Sequence, residues 1–334
     1  MSDYSRQALV GAIGGTYISL AIADIDELTV SHFALLNSAD FEQPMQAVER
    51  YLASVPRCPN KVGLALAAKI AGNEAAFIHR PWTLTKNDVR AVTGAADVAF
   101  INDVEALALM LPHLTNDDLH MVHSAETAPH GTKVVIGAGT SLGVAGLVHT
   151  GETWLPIIGE GGYAAFPVQP HGEFDIRQAF PAGSHIAADD VFSGRGLVAL
   201  YSALAKTRNA TATATGARSI AAAGLAGKDP IAVETLDLMA TWLGRFAGEI
   251  ALIYGARGGV YLAGGLAANI VPVLSTSRFS DAFRAKGKRS AYLDAIPVKV
   301  IKTGADAGLK GAALALAHSL ATAERSRLTA SSTA

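Results

Sequence analysis

The chain has 334 residues, 50% apolar and 17% charged, a length that suits two domains each burying its own core and a composition that excludes wholesale disorder. Its formal net charge of −2 and pI near 6.5 supply no basic field, which argues against nucleic acid and anionic membrane and for small-molecule partners. Cys58 is the only cysteine, so an internal disulfide, a cysteine-based metal site and an Fe–S cluster are excluded.

The opening MSDYSRQ is polar, and the run ALVGAIGG after it is broken by glycines short of a signal h-region, so a cytoplasmic protein is expected. The apolar stretches GLALAAKIAG and GAALALAHSLA are alanine-rich and fall below the roughly 20 residues a membrane helix needs. From Ala8, ALVGAIG, YISLAIAD and TVSHFALL predict a β-meander. FEQPMQAVERYLASV places Met45, Val48, Tyr51 and Leu52 at helical spacing and stops before Pro56, which predicts a crossover helix. KVGLALAA then reads as a strand, DVRAVTG as a short helix, VAFIND as a strand and VEALALMLPHL as a second helix, the order of a mixed α/β sheet.

The stretch from His113 to Gly131 is polar and turn-rich, and a domain boundary is expected near Leu111, because the helix before it ends at Pro112. KVVIGAGTSLGVAGLVH repeats the opening pattern of strand, glycine turn with threonine, and strand, which points to an internal duplication. Lys206 to Ser219 reads as an exposed connector. VETLDLMATWLGRFAGEIALIYG predicts a long amphipathic helix, GVYLAGG a buried strand ending in glycines, and DAGLKGAALALAHSLA a closing helix with a frayed tail, SRLTASSTA.

Four glycine motifs follow apolar strands: Gly11 to Thr16 (GAIGGT), Gly137 to Gly143 (GAGTSLG), Gly159 to Tyr163 (GEGGY) and Ala263 to Gly265 (AGG). Glycine lets backbone N–H groups approach a phosphate, and a neighbouring threonine adds a hydroxyl donor without bulk. No GxxxxGK[ST] loop occurs. A single glycine pair is usually a structural hairpin turn; four in this order carry more weight. Asp103 follows the strand VAFI beside Asn102 and opens a helix. A carboxylate there suits proton acceptance from an attacking hydroxyl, and it equally suits capping of the helix.

The ordered set VGAIGGT, INDVEALA, GAGTSLGVA, GEGGYAAF, FSGRGL and VYLAGG, over about residues 8 to 320, resembles bacterial glucokinases of the hexokinase and actin-like superfamily. The resemblance implies an α/β chain with a two-domain actin-like, hexokinase-type (ribonuclease H-like) fold, each domain a mixed sheet flanked by helices, with ligands in the cleft between the domains. A small domain of 1–110 plus 305–334 and a large domain of 111–304 are expected. It further implies ATP with Mg²⁺ as phosphoryl donor, a hexose as acceptor and a homodimer. Gly11, Gly14, Gly15, Thr16, Gly137, Gly139, Thr140, Gly264 and Gly265 would hold ATP. Asp103 would be the base, and Asn102, Glu160, Tyr163, Asp189 with its neighbour Asp190, and His79 would hold the sugar.

Several positions depart from the family pattern. Ala12 stands where the family carries an aspartate that helps hold the magnesium of MgATP, usually through water, and Tyr17 replaces the asparagine of the same turn. Lys69 replaces a proline, His79 stands near a sugar-contacting asparagine, Tyr163 replaces a histidine and Asp189 a longer glutamate. Two functions follow: a hexose kinase acting on a sugar hydroxyl such as the 6-hydroxyl of glucose, or a catalytically weak sugar- or nucleotide-binding regulatory protein. A transcriptional regulator is disfavoured, since no helix-turn-helix precedes the first strand.

Overall fold

The three leading apolar runs form the meander their composition predicts: β1 (Gln7–Ile13), β2 (Tyr17–Asp24) and β3 (Thr29–Asn37). They belong to a computed structural model that describes residues 6–78, 80–166, 176–302 and 306–332. Contacts divide the chain into two units, residues 1–113 with 304–334 and residues 114–303.

In the first unit, β1 and β2 are almost continuously buried, as strands covered on both faces must be. Helix α1 (Pro44–Leu52) buries Met45, Val48 and Tyr51, the stripe read from the sequence, with Pro44 in its first turn. Strand β4 (Lys61–Leu66) runs parallel to β1. A three-stranded antiparallel sheet follows that the sequence did not announce: β5 (Ala68–Ala71), β6 (Glu74–Phe77) and β7 (Thr83–Thr85). Runs of three and four residues are too short to show alternation, and the last residue of KVGLALAA belongs to β5 rather than β4. Helix α2 (Lys86–Thr93) starts on a reciprocal Thr85–Asp88 cap and ends at left-handed Gly94 (φ 68°). Strand β8 (Asp97–Asn102), parallel to β4, leads into α3 (Asp103–Met110), and the sheet order is β3-β2-β1-β4-β8.

The second unit opens with β9 (Leu119–His123), inside the stretch read as polar turns. Next come β10 (Lys133–Ala138), β11 (Leu142–His149) and β12 (Trp154–Gly159), then α4 (Ala188–Val191), α5 (Gly194–Thr207), α6 (Ala217–Leu225) and α7 (Pro230–Tyr254). Strand β13 (Val260–Ala263), short helices α8 (Gly265–Asn269), α9 (Val271–Thr276), α10 (Phe279–Arg284) and α11 (Ser290–Asp294), and β14 (Val298–Ile301) complete it. The sheet order is β12-β11-β10-β13-β14-β9. Its first five strands repeat the order and directions of the first unit, as the second glycine turn led us to expect.

Helix α7 corrects one expectation. It is buried almost all round through Leu238–Gly248 rather than amphipathic, because α10 lies on the side where Gly244 and Gly248 expose bare backbone. A Cβ at Gly244 would overlap the carbonyl of Phe279. The connector after α5 is tied down by Tyr201, whose hydroxyl donates to Asp229 and accepts from Thr213 N–H.

Helix α12 (Ala307–Ser332) packs onto β1, β4 and α3 of the first unit, and helical backbone continues to Ser332, into the tail expected to fray. Glycines set the approach: a Cβ on Gly63 would lie 2.6 Å from Ala312 O, and one on Gly311 would overlap Ala106 O. Among the described residues no helix is long and apolar enough to cross a membrane. Gly311→Ala is expected to push α12 off α3 and cost about 2–3 kcal/mol, the scale of core overpacking. Urea denaturation measures this, and a loss below about 0.5 kcal/mol, the range of neutral surface changes, would show that the helices slide apart freely.

Candidate functional site

At the junction of β8 and α3, the two roles that sequence left open for Asp103 are separated. The cap is Asn102: its Oδ1 accepts the N–H groups of Val104 (3.0 Å) and Glu105 (3.4 Å). Its amide nitrogen, which reaches Ala68 O only at 3.5 Å, is the group left to donate to a ligand. Asp103 sits in the first turn, where Oδ1 accepts Val104 N–H at 3.0 Å and no described residue donates to Oδ2. Desolvation pushes its carboxyl up to about 6, against the restraint of the backbone N–H groups. A carboxylate with one open oxygen and a pKa raised toward neutrality is equipped to accept a proton.

The turn joining β1 to β2 has its carbonyls tied back and its amides open. Ser38 Oγ donates to Gly14 O (2.8 Å), Ser38 N–H to Thr16 O (2.9 Å) and Arg80 Nε to Gly15 O (3.1 Å), while Gly14 N–H closes the hairpin on Tyr17 O. The N–H groups of Gly15 and Thr16 find no acceptor among the described residues, and Thr16 is exposed. Such a set of outward donors suits an anion. Gly11 stands apart: it is buried inside β1, where a Cβ would lie 2.8 Å from Leu64, so its bareness serves packing. Ala12 is half-buried against Gly308 of α12. Sequence reasoning passed over Ser38 and Arg80, which lie 24 and 65 residues from the carbonyls they hold.

In the second unit, the ends of β10 and β13 lie side by side, with Gly137 opposite Ala263. That pairing brings the Gly139–Thr140 turn next to Gly264 and Gly265. Gly264 has φ 89°, and a Cβ there would overlap the Ala138 carbonyl, so only glycine fits. The Gly139 turn is fastened by Gly139 N–H to Ser141 O (3.0 Å) and by Gly194 N–H to Gly139 O (3.1 Å), with Thr140 exposed.

Glu160 and Tyr163 are gathered on the same unit as Asp189 and Asp190. Glu160 is exposed and pairs by a bridge with Val144; after it, Gly162 is so close to Leu142 that a Cβ would overlap the Leu142 carbonyl. Tyr163 is 49% exposed. Desolvation, then the charges of Asp189 and Glu160, raise its phenol above the ordinary value, so it stays a donor. Asp189 is buried and already engaged: Oδ1 accepts Leu142 N–H, and Oδ2 accepts Arg195 Nη2 at 3.2 Å. Asp190 Oδ2 accepts Ala187 N–H at 2.9 Å. Arg195 was not singled out from sequence, which holds no signal of its partner. His79 lies outside the described residues. Among those residues no group of three or more His, Cys, Asp or Glu is placed to hold a metal.

A glucokinase family model matches residues 9–319. The glucokinase of Chelativorans sp. (strain BNC1) is 37% identical over 298 residues, 88% of this chain and 86% of that protein. Among solved structures, the glucokinase from an Antarctic psychrotroph has a TM-score of 0.80 at 28% identity, over 94% of this chain and 99% of that one. A ROK family glucokinase from Streptomyces griseus, crystallised with glucose and AMPPNP, has a TM-score of 0.64 at 20% identity, over 92% and 98% of the two chains.

Because folding moves the Asp103 carboxyl from its ordinary 3.8 to about 6, the folded chain binds that proton more tightly. Stability therefore falls as pH rises through this window. Asp103→Asn removes the penalty. It is expected to stabilise the protein at pH 7.5 by on the order of 1–3 kcal/mol, and to do nothing below pH 4. Denaturation at both pH values checks this, and equal effects at the two would refute the shift.

Proposed function

The chain belongs to the glucokinase family and is a hexose kinase, and on that premise we propose that it transfers the γ-phosphoryl group of MgATP to the 6-hydroxyl of glucose, with Asp103 as general base. The observation that carries this reading is the open Oδ2 of Asp103, available because Asn102 takes over the capping of α3. The sugar hydroxyl donates to Oδ2. As its oxygen bonds to the γ-phosphorus and the bond to the bridging oxygen of ADP breaks, the hydroxyl proton passes to Asp103, leaving the sugar phosphate and ADP. A carboxyl near 6 stays largely ionised at neutral pH yet is a stronger base than one at 3.8.

The open amides of Gly15 and Thr16, with Gly14 behind them, and in the second unit the turns at Gly139–Thr140 and Gly264–Gly265, which adjoin each other, support the reading of these residues as phosphate cradles. Gly11 contributes by keeping its strand clear of Leu64 and Leu20, and Gly137 is retained as an ATP residue on the resemblance. Glu160 and Tyr163 offer an acceptor and a donor to the sugar, Asn102 offers its amide, and His79 is retained as a sugar contact on the resemblance. The magnesium is read as part of the MgATP substrate. Ala12 provides no carboxylate for it, so phosphates, water and a remaining carboxylate are read as its ligands. Family character supports a cytoplasmic homodimer. A non-catalytic binding role is not favoured, since the base keeps its open oxygen and the matching family consists of kinases.

A coupled ADP-release assay with MgATP and a hexose panel tests the proposal. Turnover with glucose is expected, and Asp103→Ala should lower kcat by roughly 10²–10⁴-fold while glucose still binds; full activity in that variant removes Asp103 as the base. Ala12→Asp places a carboxylate beside the first turn of α12, next to Gly308, where the helix end favours negative charge. It should raise turnover or lower the magnesium requirement, and an unchanged rate and metal dependence would show that position 12 does not limit catalysis.

A further inference from the structure

This inference rests on the phosphoryl-transfer reading and concerns Arg195. Arg195 is the second residue of α5, and the N–H of Gly194 just before it donates to Gly139 O at 3.1 Å. Its backbone is therefore fastened to one of the turns read as a phosphate cradle. The side chain is 69% exposed and is held at one point, Nη2 to Asp189 Oδ2 at 3.2 Å. No described residue takes its remaining donors. An ion pair of this kind, with the cation mostly in solvent, is weakly held, and a guanidinium fits phosphate oxygens as well as it fits a carboxylate.

Asp189 is different in kind. Its side chain is only 5% exposed, and Oδ1 is fixed on Leu142 N–H at the far end of the same turn. The helix carrying it is tied to the sugar-side segment, since Ala188 N–H donates to Ala164 O at 3.0 Å and the phenol of Tyr163 feels the Asp189 charge. Oδ1 is committed to structure, and Oδ2 is the atom that both the arginine and a sugar hydroxyl can use.

We propose that Arg195 is a phosphate-contacting residue of the nucleotide turn, held by Asp189 in the sugar-free protein and released to the nucleotide's phosphates when a sugar hydroxyl takes Asp189 Oδ2. The exchange makes sugar and nucleotide binding mutually strengthening, because each ligand satisfies a group the other has freed.

Calorimetric titration of MgADP into the full chain, with and without saturating glucose, tests this without any turnover. A failure of the kinase reading would appear separately in the ADP-release assay. Glucose should tighten ADP binding by about fivefold or more in the wild type. In Arg195→Met the tightening should vanish and ADP bind more weakly, and Arg195→Lys should recover part of both. Asp189→Asn keeps an oxygen for Leu142 N–H but releases the arginine, so it should bind ADP tightly with no glucose present. A shared melting temperature and circular dichroism spectrum would show that the variants fold alike. The proposal is overturned if Arg195→Met keeps the wild-type ADP affinity and glucose effect, or if glucose leaves wild-type ADP binding unchanged.

Discussion

Parallel pairing of a strand that follows a crossover with the strand that opens a meander is the constraint on which the candidate site depends. In the first unit β4 pairs with β1, and in the second β13 pairs with β10. Parallel strands end at the same edge, so turns distant in sequence arrive together. Gly264 follows from this: with Gly137 set opposite Ala263, the chain leaving β13 runs against the Ala138 carbonyl, and only a residue with no Cβ and a positive φ can make the turn. The same edge logic sets Asn102 and Asp103 at the end of β8, two strands from the Gly14–Thr16 turn in the sheet order.

Electrostatics then distinguishes residues of similar type. Three aspartates singled out from sequence have different surroundings. Asp103 keeps one oxygen open and is pushed up to about 6 by desolvation. Asp189 is buried and bonded at both oxygens, to a backbone N–H and to a guanidinium. Asp190 accepts the N–H of Ala187 at the start of α4. Basicity, anchoring and capping are thus distributed by neighbours rather than by residue identity.

Close approach of helices through bare backbone is the other recurrent device. Gly244 and Gly248 admit α10 to α7, and Gly63 and Gly311 admit α12 to β4 and α3. These glycines have ordinary φ values and no turn to make, so in the sequence they look like weak points in good helices and strands. Their purpose is visible only once the opposing backbone is in place.

The sequence by itself determined the fold class, most of the elements and the location of the glycine turns. Those features are written in short-range order: the apolar and β-branched runs of β1 to β3, the Met45, Val48 and Tyr51 stripe of α1, and glycines placed after apolar runs. Helices α2 and α3 and strand β8 were legible for the same reason. The short sheet of β5, β6 and β7 was not, because four residues carry no period, and the all-round burial of α7 was not, because burial is a property of what packs against a helix. Only the tertiary structure decided that Asn102 caps α3 and leaves Oδ2 of Asp103 open. It alone showed that Ser38 and Arg80 hold the carbonyls of the first glycine turn and that Arg195 meets Asp189. Which hydrogen bond a side chain makes depends on atoms brought near by folding, and a reading of local pattern carries no information about them.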